Sequence, residues 1–168
     1  MKMTHNNIPL ELKRITTVYV DKEDRIGLIG VAESGQHHRL WLTQRLLTQL
    51  IERLLLWLPQ NPEEIQQLAQ QIAQAKREPE LAVVASSDCS NWLVQEISLN
   101  SAAGVVGLQF KSDRDQHVVT VRFNEVSLRQ WLDIVFSQYQ YAGWLGVAWP
   151  GWLSSKVELG LPEGVAVH

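Results

Sequence analysis

The sequence predicts an α+β fold of duplicated strand-strand-strand-helix units, forming antiparallel sheets packed by helices, with an extra helix after the first unit. Three observations lead there. First, the order of apolar residues, turns and caps in 15–58 recurs in 94–139. Ile15, Val18 and Val20 align with Val94, Ile97 and Leu99 at an offset of 79, and Gly27-Leu28 with Gly107-Leu108 at 80. The stripe Leu47, Leu50, Ile51, Leu54, Leu55, Leu58 aligns with Leu128, Trp131, Leu132, Val135, Phe136, Tyr139 at 81. Second, the offset drifts at turns, where an inserted residue costs least. Third, each unit passes from short β-branched runs bounded by turn residues to one longer segment of helical periodicity.

Four segments follow: a mobile N-terminus at 1–11, a first half at 12–78, a second half at 79–141, and a Trp- and Gly-rich tail at 142–168 that is expected to pack on the core or on a partner. Leu12 to Val20 reads as a strand and Asp21-Lys22-Glu23-Asp24 as a charged turn. Arg25 to Ala32 is a second strand, in which Gly27 and Gly30 mark a bulge or close packing against another backbone. Glu33-Ser34-Gly35-Gln36 turns the chain into a third strand, His38 to Leu42. Thr43 caps a helix over 44–58. One half of that helix carries Leu46, Leu47, Leu50, Ile51, Leu54, Leu55, Trp57 and Leu58. The other carries Gln44, Arg45, Thr48, Gln49, Glu52 and Arg53, and only Leu56 breaks the division. Pro59 stops it. Asn61 as cap, Pro62 at the first helical position and Glu64 in a capping box begin a second helix over 62–77. Its thin apolar stripe, Ile65, Leu68, Ala69 and Ile72, is expected to be its packing side.

Arg77-Glu78-Pro79-Glu80 forms the linker. Leu81 to Ala85 is of strand type, and residues 86–91 form a polar loop. Trp92 to Leu99, Val105 to Lys111 and Val118 to Phe123 read as strands, and Asn124 caps a helix over 125–140. From Ala142 onward the periodicity is lost.

A chain of 168 residues with 45% apolar and 20% charged residues can bury a real core. A net charge of −3 argues against a dedicated duplex-DNA binder, whose basic face usually shows in the totals. No apolar run is long enough to span a bilayer, so no membrane partner is expected. Met1 to Pro9 contains no apolar signal-peptide core. The single cysteine, Cys89, excludes an internal disulfide, and a cytoplasmic location is expected.

No constellation of residues points to catalysis. His37 and His38 are adjacent on a strand, point to opposite faces and cannot readily clasp one metal. Cys89 has neither a helix start after it nor a base beside it. Gly27-x-x-Gly30 and Gly104-x-x-Gly107 lack the Gly-Lys-Ser/Thr of a phosphate loop. Glu23-Asp24, Glu63-Glu64 and Asp113/Asp115 fall at turns or in a first helical turn, where acidic residues are at home. Neither a cofactor nor a metal is expected.

The expected function is therefore that of a non-enzymatic protein-interaction or assembly module, active as a homodimer. An apolar helix face about 180° wide is usually covered from more than one side. Tryptophan is also a common binding hot spot. The candidate partner-binding residues are Leu56, Trp57, Trp144, Trp149 and Trp152.

The alternative is single-stranded nucleic-acid binding. In element order, residues 12–140 resemble the whirly and purine-rich-element-binding families, which implies curved sheets on which a single strand lies. The resemblance carries no signature motif and transfers no family residue. Arg25, Arg39, Lys111, Arg114 and Arg122 lie on or beside the hairpins as a candidate electrostatic track, with Trp41 as a stacking ring. Acidic turns flank that track and weigh against it. An enzyme whose site assembles only in space is the third and least expected reading.

Overall fold

The computed structural model describes residues 10–112 and 118–154. Along the described residues run β1 (Leu10–Val20), β2 (Arg25–Ala32), β3 (His37–Leu42), α1 (Gln44–Trp57), α2 (Glu63–Ala75), β4 (Ser90–Leu93), β5 (Glu96–Ala102), β6 (Val105–Lys111), β7 (Val118–Asn124), α3 (Glu125–Ala142) and α4 (Gly151–Ser154). The protein is of mixed α+β class, and the strand-strand-strand-helix order occurs twice.

Alternation along the strands sets the inner face. Ile26 and Leu28 of β2, Leu40 and Leu42 of β3, Val106, Leu108 and Phe110 of β6, and Val119, Val121 and Phe123 of β7 are all buried. They form one cluster with Leu47, Leu50, Ile51 and Leu54 of α1 and Leu128, Leu132 and Val135 of α3. A single core thus spans both halves.

The strands form one sheet in the order β4-β3-β2-β1-β7-β6-β5. Its two ends are successive pieces of chain, because β4 and β5 are separated only by Val94 and Gln95. The Val94 amide donates to the Trp41 carbonyl on β3, and the Gln95 amide donates to the Lys111 carbonyl on β6. The extended segment 90–102 therefore changes partner from one side to the other, and the sheet closes into a ring. β1 does the same: Leu10 and Glu11 pair with Val119 and Thr120 of β7, and from Leu12 onward it pairs with β2. The antiparallel strands of both halves thus join in one sheet, through parallel junctions at β3–β4 and β1–β7.

The main helices begin where their caps are written. Thr43 Oγ1 accepts from the Leu46 amide at 3.3 Å. Asn124 and Ser127 satisfy each other's backbone in a capping box, and Gly143 closes α3 in the left-handed conformation at φ 69°.

Three local expectations fail. Pro62, not Asn61, occupies the cap position of α2 and there is no side-chain cap bond, so Glu64 closes no capping box. Leu81 to Ala85 is not a strand. Only Val83 is buried there, and its amide donates to Thr16 Oγ1 at 2.8 Å, which ties the linker to a β1 side chain and not to a sheet ladder. Finally, α2 presents the opposite face to the core from the one its apolar pattern suggests.

Candidate functional site

The inversion of α2 begins with Arg129. This residue sits on the core side of α3 and is 1% exposed. A buried guanidinium must be paired and hydrogen-bonded. One Nη donates to Gln66 Oε1 at 2.6 Å and lies 3.2 Å from Glu125 Oε1. Nε donates to Glu125 Oε1 at 3.2 Å, and the Trp152 ring lies 5.1 Å from the guanidinium carbon. The glutamines of α2 continue this polar layer. Gln66 Nε2 donates to the Pro59 carbonyl at 2.6 Å and Gln70 Nε2 to the Arg129 carbonyl at 3.0 Å. Gln130 Nε2 donates back to the Ala73 carbonyl at 2.8 Å. α2 is thus docked through Gln66, Gln70 and Ala73, which are buried. The consequence is that Ile65, Leu68 and Ile72 face outward at 50%, 56% and 45% exposure.

The tail tryptophans are engaged within their own chain. Trp144 is buried, its indole N–H lies 3.2 Å from Asp24 Oδ1, and its ring meets Tyr19 and Tyr139 edge-on. Trp149 packs edge-on against Phe136 and Tyr139. Trp152 covers Arg129. Trp57 is half-buried, and its indole N–H donates to Ser101 Oγ at 2.9 Å, linking α1 to β5. Of the candidate partner-binding residues only Leu56 is widely exposed, at 75%. The structure does not gather these five residues into one patch on the surface.

The candidate nucleic-acid residues lie on the outer face of the ring, in two separate places. In the first half Trp41 lies across Gly27, where a Cβ would come within 3.2 Å of the ring, and Arg39 stacks 5.4 Å from the Trp41 centroid. Arg25 pairs with Val20 in the β1–β2 ladder. In the second half Arg122 occupies the position of Trp41, opposite Gly107 in the ladder, with its Cγ 3.9 Å from where a Cβ would stand. Gly107 borders an open groove of about 620 Å³, with Asn100, Gln109 and Thr120 in its wall. Both cations there have carboxylate neighbours: Arg122 lies 4.0 Å from Glu11, and Lys111 lies 4.0 Å from Glu96. Arg114, like Asp113 and Asp115, lies outside the described residues, as do residues 1–9 and the tail beyond Ser154.

Burial pushes the Cys89 thiol above its ordinary value, against a smaller opposing effect of Arg39, which is the wrong direction for a nucleophile. Among the described residues no group of His, Cys, Asp and Glu is placed to hold a metal ion, and no helix is long and apolar enough to cross a membrane. No family model, curated protein or solved structure matches the chain.

The outward stripe of α2 was missed in the sequence because its periodicity says which residues share a face but not which face is inward. One signal was present. Arg129 and Asp133 interrupt the inward face of α3 between Leu128, Leu132 and Phe136, announcing a polar layer for which a glutamine-rich helix is the natural cover.

Proposed function

We propose that this protein is a non-enzymatic assembly module that pairs with a second copy of itself through α2. One observation carries the reading: α2 buries glutamines and exposes Ile65, Leu68 and Ile72. The spacing 65, 68, 72, with Ala75 next, repeats every three and four residues, the a/d seam of paired helices. The helix is also polarised, with Glu63 and Glu64 in its first turn and Lys76 and Arg77 just past its end. An antiparallel copy related by a two-fold axis brings the acidic end of each helix against the basic end of the other.

Sedimentation equilibrium at micromolar protein tests this. A dimer is expected for the wild type, and a monomer with an unchanged circular dichroism spectrum for Leu68→Lys combined with Ile72→Lys. A wild-type monomer across the concentration range overturns the proposal. Single-stranded nucleic-acid binding draws less support, since its candidate cations are split between two sites and three of them have close partners.

A further inference from the structure

The two parallel junctions that close the ring are not equally long, and the difference leaves a cleft. At β3–β4 four residue pairs are zipped, from His38↔Ser90 to Trp41↔Leu93. At β1–β7 the pairing runs from Leu10↔Val119 to Glu11↔Thr120 and stops. Since β7 lies 81 positions beyond β3, as Arg122 does beyond Trp41, Val119 and Thr120 stand where His38 and Arg39 do, and these pairs correspond to His38↔Ser90 and Arg39↔Asn91. The counterparts of Leu40↔Trp92 and Trp41↔Leu93 would be Val121↔Leu12 and Arg122↔Lys13, and these do not form. A register shift of β1 between Leu12 and Arg14 turns it away from β7 there.

The gap is a cavity of about 620 Å³ between β1, β7, α3 and the end of α2. That size lies within the range of small-molecule sites. Its deep wall is apolar, with Ile15, Phe123, Trp131 and Ile134. Its mouth is predominantly basic: Lys13, Arg14, Arg77 and Arg122 line it, against Glu78 and Glu80. Glu11 takes part of this charge, through Lys13 at 3.2 Å and Arg122 at 4.0 Å. Arg14 and Arg77 come from different elements, and among the described residues no ion pair holds either. Gln74 also lines the cavity, and its Nε2 is a buried donor with no hydrogen-bond partner among the described residues. Counting Glu11, four cations face three carboxylates, so the cleft keeps a small positive excess on a chain of net charge −3.

We propose that this cleft binds a small organic anion, a carboxylate or phosphate carried on an apolar body. The head group lies between Arg14 and Arg77, and the body lies against Phe123 and Ile134. This reading does not rest on the pairing of α2, with which it shares only Arg77. Fluorescence titration with 8-anilinonaphthalene-1-sulfonate, an aromatic anion, tests it. Saturable binding of one probe per chain is expected, displaced by octanoate or octyl phosphate and retained in Leu68→Lys, which separates the cleft from the stripe on α2. Arg14→Glu with Arg77→Glu is expected to weaken binding at least about tenfold with thermal stability unchanged. Ile134→Trp, which fills the cavity, is expected to abolish binding. Displacement by octanol as effective as by octanoate, displacement by inorganic phosphate alone, or binding indifferent to both sets of substitutions overturns the proposal.

Discussion

Asp24 holds the start of the tail to the β1–β2 turn with a single carboxylate. Its Oδ1 accepts from the Tyr19 hydroxyl at 2.7 Å and from the Trp144 indole at 3.2 Å, and the residue stands at φ 47°, a backbone that aspartate tolerates. The Tyr19 bond, then the Trp144 bond, hold the Asp24 carboxyl below its ordinary pKa. A group whose folded value is lowered contributes stability above its unfolded value, and that contribution fades as pH falls through the folded one. Trp144 fluorescence is therefore expected to stay constant from neutral pH down to about 4 and to shift toward an exposed tryptophan below it. Asp24→Asn should keep the acceptor and remove that transition. At the alkaline end the same bond, with smaller help from burial, pushes Tyr19 up to about 12, so its contribution is complete below about 10 and is lost as pH rises toward 12. Arg129 is the other residue on which much depends. Arg129→Ala leaves Gln66 Oε1 and the inner face of α2 without their partner, and urea denaturation is expected to show a loss of about 1–3 kcal/mol. Arg129→Met, of similar volume and without charge, should lose less.

At the level of elements, the caps and stripes were readable because their physics is local. Thr43 and Asn124 sit within a few residues of the backbone groups they satisfy, and an apolar face about 180° wide on α1 has nowhere to go but inward. Leu54 is fully buried in that face. Leu54→Ala should cost about 2–5 kcal/mol in chemical denaturation; unchanged stability would contradict the packing. α2 was not readable in the same way. Its orientation is decided by Arg129, 63 positions from Gln66 in sequence, and a pattern within 63–75 carries no trace of that distant demand. The tail shows the same limit. With no periodic element around them, Trp144, Trp149 and Trp152 could be read as packing on the core or on a partner; aromatic edges from Tyr19, Phe136 and Tyr139 receive Trp144 and Trp149, and Trp152 lies over Arg129.

The whole molecule shares one core and one sheet, so its halves are interdependent. β4 completes the first half's sheet and β1 completes the second's. Urea unfolding followed by tryptophan fluorescence and by far-UV circular dichroism is expected to give coincident transitions, and fragments cut between residues 78 and 88 are expected to be unfolded when separate. For nucleic acid the expectation is no salt-sensitive binding of mixed-sequence single strands at physiological ionic strength, measured by anisotropy. Micromolar affinity lost together with Arg39 and Arg122 would reverse it.

Ring closure also has a bearing on aggregation. A sheet whose ends meet within one segment of chain offers few free edges to a neighbouring molecule, and free edges are where cross-chain polymerisation begins. Of the two junctions, β1–β7 is the shorter, and the residues that fasten it, Leu10 and Glu11, are the first described ones. Opening there would uncover the flank of β7, whose Val118-Val119-Thr120-Val121 run is β-branched throughout. Replacing Leu10 and Glu11 with prolines, which cannot donate to a ladder, is expected to leave the helices intact while making the protein form thioflavin-positive fibres under conditions where the parent chain stays clear.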